Sequence, residues 1–388
     1  MCAQSLEFQN FSQDVEVDVS DDRLTSIEGG ELYGQLSNRL IIKTHSMTDK
    51  YSLESLAEGI CDCRVQVSAL YASPRFNYFV VSVPLEAVST VVIKELSEKS
   101  EVLLVQPDVL LIRNRSSQNE LSGNIQREPS PLSSIMPFWN VQGIGQVGNT
   151  REVRIAIIDD GFDFTHGDLS HVDVAFAYDV ERQSFDVMPI LPVDGHGQRV
   201  AGVIFGAHNN QGPDGIFTDA RLIAIRQTKQ WTSHTLLALS VAARAGAEVI
   251  NCSWHSESLM QPVADIVNDL AKWGRAGRGL PIVFAAGNKG KVISINEHEA
   301  AIRSAIVVGA LDQSFQIASF SNRGPFVDVY FPGSKLLSTN VNNKYGKYSG
   351  TSFSAALATG YIALLIASNY EISLAEINNK LSLLAWKK

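Results

Sequence analysis

Residues 153–159 read VRIAIID and residues 221–227 read RLIAIRQ, and similar apolar runs return at 247–254 (AEVINCSW), 280–288 (LPIVFAAGN) and 305–311 (AIVVGAL). None alternates strictly between apolar and polar side chains, as a strand with one wet face would. Strands buried on both faces belong to parallel sheets covered by helices. Helix-length segments fall between the runs, notably 235–245 and 260–274. The alternation predicts an α/β domain on a mostly parallel sheet. In such sheets chemistry gathers beyond the carboxyl ends of the strands, so the residues after each run are the first to inspect.

Upstream, short β-branched runs occur at 39–44 (RLIIKT), 65–72, 78–84 (YFVVSVP) and 102–112 (VLLVQPDVLLI), separated by helix-like stretches at 48–60 and 86–99. The order β-α-β-β-α-β predicts a small α+β sandwich of ferredoxin-like type. The segment RNRSSQNELSGNIQREPSPLSSIMP, residues 113–137, is rich in Ser, Asn and Pro and breaks all periodicity. It reads as an exposed linker. Residues 1–33 hold eight acids against one base, Arg23, and read as a solvated acidic arm rather than a dock for a basic partner. The 388 residues thus divide into an arm (1–35), a small domain (36–113), a linker (114–136) and a large domain (137–388).

A composition of 45% apolar and 19% charged residues excludes a disordered or collagen-like chain. Of the net charge of −9, the first 33 residues carry −7, so the rest is near neutral and offers no nucleic-acid-binding face. The start MCAQSLEFQNFSQDVEVDV lacks the basic and apolar regions of a signal peptide, and the longest apolar run, at 361–367, is far below the roughly 18 residues of a membrane span. The expected setting is cytoplasmic, without membrane. Cys61 and Cys63 are too close for an ordinary disulfide, and no second cysteine or histidine pair accompanies them to make a zinc site. Reduced thiols are expected.

Gly143, Gly145 and Gly148 spell GxGxxG, but they precede the strand 153–159 instead of following one, so they do not mark a dinucleotide site. Three other places carry more chemistry. Asp159 ends the strand RIAIID, His196 opens a helical stretch in DGHGQRVAG, and Ser352 opens another in SGTSFSAALATG. A serine hydroxyl needs a histidine to take its proton, and the histidine needs a carboxylate to fix its tautomer. Each residue alone is more often a helix or strand cap than a catalyst.

Together these residues resemble the subtilisin-like serine proteases, which share the chain order Asp, His, Ser. The resemblance covers roughly residues 137–386: IAIIDDGFD with HGDL resembles the Asp motif, DGHGQRVAG the HGTHVAG motif, FAAGNKG the AAGN motif, and GTSFSAALATG the GTSMASPHVAG motif. It implies a subtilisin-like three-layer fold with a mostly parallel sheet. Asp159 would orient, His196 would act as base and then acid, Ser352 would attack, and Asn288 with the Ser352 N–H would hold the oxyanion. Gln198-Arg199 stand in place of Thr-His, and Ala356-Leu357 in place of Pro-His. These departures leave the triad intact and suit a divergent branch.

The same resemblance places NCSWHS (251–256) on the substrate groove, with Ser253, Trp254, His255 and Gly287 as binding positions. Trp254 and His255 are bulky where the family has glycine, which implies a narrowed cleft unless Trp254 packs on the sheet. Glu297 falls near the bottom of the primary pocket, where a carboxylate would favour a basic side chain; Glu297 and Glu299 could equally face solvent. No cofactor is required, although calcium is common in the family. Asp168 stands where a ligand often does, opposite a loop, HNNQGPDG (208–215), that is one residue short.

Residues 36–113 resemble the family's inhibitory N-terminal propeptide, with 109–113 expected as an extra strand in the groove and Arg113, Arg115 or Arg127 as cut points. The implied function is a serine endopeptidase made as a zymogen, with a protein or peptide as substrate and its own propeptide as inhibitor. The alternative is a catalytically silent peptide-binding pseudoprotease or scaffold.

Overall fold

The computed structural model describes residues 4–20, 23–26, 34–111, 113–114, 118–120, 153–191, 193–295 and 297–384. They group into two compact units, Met1–Arg113 with Lys229–Ser240 and Ser256–Ile266, and Asn114–Thr228 with Val241–His255 and Val267–Lys388.

In the first unit the expected β-α-β-β-α-β order is found. Strands Val102–Leu111, Gly34–His45, Phe76–Ser82 and Gln66–Ala72 pair antiparallel in that spatial order, with helices Lys50–Cys61 and Thr90–Ser97 between them in sequence. Leu40, Ile41 and Ile42 are fully buried at the centre of this sheet. Each helix starts at a side-chain cap: Asp49 accepts from the N–H of Tyr51 and Ser52, and Ser89 from that of Val92.

Two expectations for this unit are overturned. The acidic arm forms three antiparallel strands, Gln4–Asn10, Gln13–Ser20 and Arg23–Ser26, that extend the sheet through the pairing of Arg23 with Gln35. The cause is visible in DVEVDV: charge dominates the composition, but the valines alternate with the acids, and Val17 is buried with Leu6 and Phe8 while Asp14 and Glu16 face solvent. Cys61 and Cys63 form a disulfide. Asp62 ends the helix in the left-handed conformation (φ 49°) and reverses the chain, bringing the two Cα atoms to 5.2 Å, within disulfide range despite the short spacing.

Residues 229–240 and 256–266 belong to this unit through specific contacts. Leu110 and Leu111 pair antiparallel with Trp231 and Gln230. Fully buried Asp108 meets Arg39 Nη2 at 2.7 Å and accepts from the backbone N–H and hydroxyl of Ser233 at 2.9 and 2.7 Å. Burial raises its pKa, against the opposing pull of Arg39 and Ser233. Lys43 Nζ and Tyr78 Oη converge on Asp265 Oδ2 at 2.8 and 2.6 Å. At the tip of the first hairpin, Phe11 and Ser12 take positive φ, as a two-residue turn between twisted strands requires. Asn10 Oδ1 there accepts the N–H of Gln261, the first residue of helix Gln261–Trp273, at 2.8 Å.

The second unit is built on seven parallel strands in the order Val174–Asp179, Arg221–Arg226, Arg154–Asp159, Val249–Cys252, Ile282–Ala285, Ile306–Leu311, Val329–Pro332. The chain leaves Arg154–Asp159 first toward one side and later toward the other, so this strand lies at the topological switch point. Helix Thr351–Ser368 is buried from Thr351 to Ile366 and packs on the strands at the centre of the core. It is apolar on all sides because it is enclosed on all sides. Sequence reading missed the strands at 174–179 and 329–332. Residues 118–120, expected within an irregular linker, pair as a short strand with Ser349, Tyr348 and Lys347.

Removing the Asp108 carboxylate leaves Arg39 and the Ser233 N–H without their buried partner, a loss of about 3–5 kcal/mol by analogy with broken buried ion pairs. Asp108→Ala is therefore expected to lower the urea midpoint and to speed hydrogen exchange in strand Val102–Leu111, whereas Val91→Ala, at a position 64% exposed, should change neither.

Candidate active site

The strand Arg154–Asp159 ends in two adjacent aspartates that hold the start of helix His196–Phe205 in different ways. Asp159 meets the His196 ring, with Nδ1 at 2.9 Å from Oδ2 and 3.1 Å from Oδ1. Asp160 holds the backbone, accepting the N–H of His196 at 3.1 Å and of Gly197 at 2.7 Å. The residue before the helix, Gly195, has no side chain to cap it, so a carboxylate from the neighbouring strand takes that place. Gly197 must be glycine, because a Cβ there would lie 2.7 Å from the Gly161 carbonyl oxygen and 3.0 Å from Asp159 Cβ.

The departures from the family pattern beside His196 have structural roles. Gln198 clamps Asp163 at both ends, accepting its N–H at 2.7 Å and donating to its carbonyl at 3.2 Å. Arg199 lies over the Tyr348 ring at 4.7 Å and donates to Asn340 at 3.2 Å. Ala356 and Leu357 are fully buried in the central helix.

Ser352 lies one residue into the helix Thr351–Ser368 and is 3% exposed. Its hydroxyl donates to the Ser253 carbonyl at 2.9 Å, while Ser253 Oγ donates to the Ser352 carbonyl at 2.8 Å. Ser253 is held in turn by Asn251 at 2.8 Å, and Asn251 by Thr359 at 2.9 Å. His196 Nε2 makes no hydrogen bond with protein, so the Ser352 hydroxyl rests turned toward Ser253 rather than toward His196. Catalytic hydrogen bonds are often unformed before substrate binds.

Asn288 follows the strand Ile282–Ala285. Its Oδ1 accepts the backbone N–H of Thr351 at 2.8 Å and the Thr351 hydroxyl at 3.0 Å. Asn288, Ser352, Ser253, Trp254, His255, Gly287 and Lys289 line one small cavity. The loop that carries Asn288 is secured by Asn322, which donates to the Ala286 carbonyl at 2.9 Å and accepts the N–H of Lys289 and Lys291, each at 3.1 Å. Sequence reading missed Asp160, Thr351 and Asn322. The Asp-Asp doublet and the Thr-Ser pair at a helix start were available signals for the first two; Asn322 left none in a single sequence.

Of the expected groove residues, Ser253, Trp254, His255 and Gly287 line the cavity. The Trp254 indole donates to the Ile158 carbonyl at 2.7 Å and stands edge-on to Phe284 at 5.8 Å, so it also braces the Asp159 strand. Glu297 does not line the cavity. Its carboxylate pairs with Lys291 and accepts the Ser294 N–H at 2.7 Å; burial pushes its pKa up, and these partners outweigh that and hold it below the usual range. A carboxylate neutralised by its own lysine has little left for a substrate cation.

Asp168 is fully buried, and its Oδ1 accepts from Asn209 Nδ2 at 2.7 Å. Among the described residues no group of three or more His, Cys, Asp or Glu is placed to hold a metal. A calcium cage needs six to eight oxygens, and here one Asp168 oxygen is engaged by an amide of the 208–215 loop. Arg115 and Arg127, two of the expected cut points, lie outside the described residues.

Known proteins share this arrangement. The subtilase family model matches residues 150–382. The chain is 37% identical to a thermophilic serine proteinase of Bacillus sp. (strain AK1) over 227 residues, covering 56% of this chain and 54% of that protein. It is 30% identical to the minor extracellular protease Epr of Bacillus subtilis (strain 168), covering 69% and 42%, and 27% identical to the major intracellular serine protease of the same strain, covering 55% and 68%. The chain spans about half the length of the first two of these relatives. The crystal structure of a cold adapted subtilisin-like serine proteinase superposes with a TM-score of 0.51 at 23% identity, over 61% of this chain and 84% of that one, which identifies the fold. With a family match over more than half its length, on a sheet of the same architecture, the chain belongs to the subtilase family of serine peptidases.

Proposed function

We propose that the chain is a serine endopeptidase, made as a zymogen, that cuts a protein or peptide substrate through an acyl-enzyme. The observation that carries this is the Asp159–His196 pair, at 2.9 Å, in the unit where Ser352 and Asn288 share a cavity. Rotation about the Ser352 side chain would turn Oγ from the Ser253 carbonyl toward His196 Nε2. Oγ then attacks the substrate carbonyl carbon as its proton passes to Nε2, while Asp159 holds Nδ1–H and stabilises the imidazolium. The oxyanion falls to Asn288 Nδ2 and the Ser352 N–H. The C–N bond breaks as His196 returns the proton to the leaving amine, and water then releases the acyl group by the same route.

The zymogen reading is supported by the first unit, in which a ferredoxin-like module holds two segments, 229–240 and 256–266, of the span matched by the family. Leu110 and Leu111 pair with Trp231 and Gln230, and Gln118–Glu120 pair with the strand that runs into Gly350, Thr351 and Ser352. The cut is accordingly expected within residues 112–117. The cytoplasmic expectation loses one of its supports with the Cys61–Cys63 disulfide, and the relatives include one named intracellular and one named extracellular.

The pseudoprotease alternative has one observation in its favour, the engagement of Ser352 Oγ with the Ser253 carbonyl. A fluorophosphonate probe, which bonds covalently to an activated serine, separates the two. Purified protein is expected to convert to a piece of about 270 residues and to take the label, and Ser352→Ala is expected to stay whole and unlabelled. Protein that matures but takes no label would require cutting by another protease and would remove the proposal. Asn288→Leu is expected to lower kcat by about 10²–10³ with little change in KM, the loss seen when a subtilisin loses its oxyanion-hole asparagine.

A further inference from the structure

Two histidines that the proposed chemistry leaves unused meet beside the cavity next to Ser352. The rings of His255 and His298 stack with centroids 4.1 Å apart and planes 22° apart, and the residues are 5% and 2% exposed. His298 is fixed from behind, where its Nδ1 accepts the N–H of Ala300 at 3.3 Å at the start of the turn Glu299–Ala301. Burial, with the positive charges of His255, Lys291 and Lys289, pushes its pKa down to about 2, so it is neutral at any working pH and stacks on His255 without charge of its own. His255 presses on the cavity wall: a Cβ built on Gly287, whose φ is 100°, would lie 2.6 Å from His255 Nε2. The cavity these residues leave has room for little more than a water molecule.

We infer that His255, held in place by His298, determines specificity by restricting the cavity beside Ser352 to small, uncharged side chains. The inference rests on the peptidase reading, which places the substrate carbonyl carbon at Ser352 Oγ and its oxygen toward Asn288. The side chain of the residue that supplies this carbonyl then enters the space between Ser253, His255 and Gly287. A methyl or hydroxymethyl group displaces little more than the water-sized volume already there. Leucine, phenylalanine or arginine enters only if His255 leaves its stack. Arginine and lysine also meet Lys289, which lines the cavity and whose charge acts on His298. Glu297 pairs with Lys291 and does not line the cavity.

The test uses the full chain, incubated until any self-processing is complete, and peptides identical except for Ala, Leu, Phe or Arg before the scissile bond. Wild type is expected to favour Ala over Phe and Arg by about 10² or more in kcat/KM, the scale on which a filled pocket rejects extra carbon atoms. His255→Gly is expected to raise the Phe-to-Ala ratio of kcat/KM at least about tenfold. His298→Asn, which can still cap Ala300, is expected to shift the ratio the same way by less. Equal cleavage of Ala and Phe by wild type would overturn the inference, as would a uniform loss on all four peptides in a His255→Gly variant that still takes the fluorophosphonate label. A wild-type chain that takes no label overturns the peptidase reading and this inference together; a labelled chain without size preference overturns this inference alone.

Discussion

Two adjacent carboxylates at the end of one strand hold the first turn of one helix, and the geometry of the site depends on that junction. Asp159 takes the imidazole of His196 and Asp160 takes the backbone N–H groups of His196 and Gly197, so ring and helix axis are fixed by consecutive residues. A helix N-terminus carries unsatisfied donors and partial positive charge, and a buried carboxylate there satisfies both demands at once. Trp254 secures the same strand from below through the Ile158 carbonyl. The histidine is positioned by the sheet, and the loop that precedes it in sequence need not be rigid for this to hold.

The opposing half of the site is organised by the start of the helix Thr351–Ser368. Thr351 offers its N–H and hydroxyl to Asn288, Ser352 exchanges hydrogen bonds with Ser253, and Thr359, two turns further along, reaches Asn251. All of these side chains but the half-buried Asn288 are buried, and such networks fix one arrangement because any loss leaves a polar group stranded. Two strand ends and one helix are thereby tied together by side chains from the same short motifs that sequence reading identified.

The parallel sheet was readable because its strands are long apolar runs, and the four motifs were readable because each sits at the end of such a run or at a helix start. What escaped notice depended on direction rather than identity. Nothing in NCSWHS says that the Trp254 indole reaches the Ile158 carbonyl and stands against Phe284, or that the His255 ring stacks on His298. Glu297 sits close to the expected place in sequence, yet Lys291, six residues earlier, claims its charge. At the N-terminus, net charge concealed a period-two pattern, and at Cys61–Cys63 a single left-handed residue reversed the chain, something spacing alone does not encode.

The resting position of the Ser352 hydroxyl bears on how such a protein could be restrained. Its bond to the Ser253 carbonyl is a neutral hydrogen bond, worth roughly 1 kcal/mol net, so turning it toward His196 costs about a factor of five in population. That is far too little to silence a nucleophile by misplacement alone. Any restraint on this serine must therefore come from something other than the orientation of its hydroxyl.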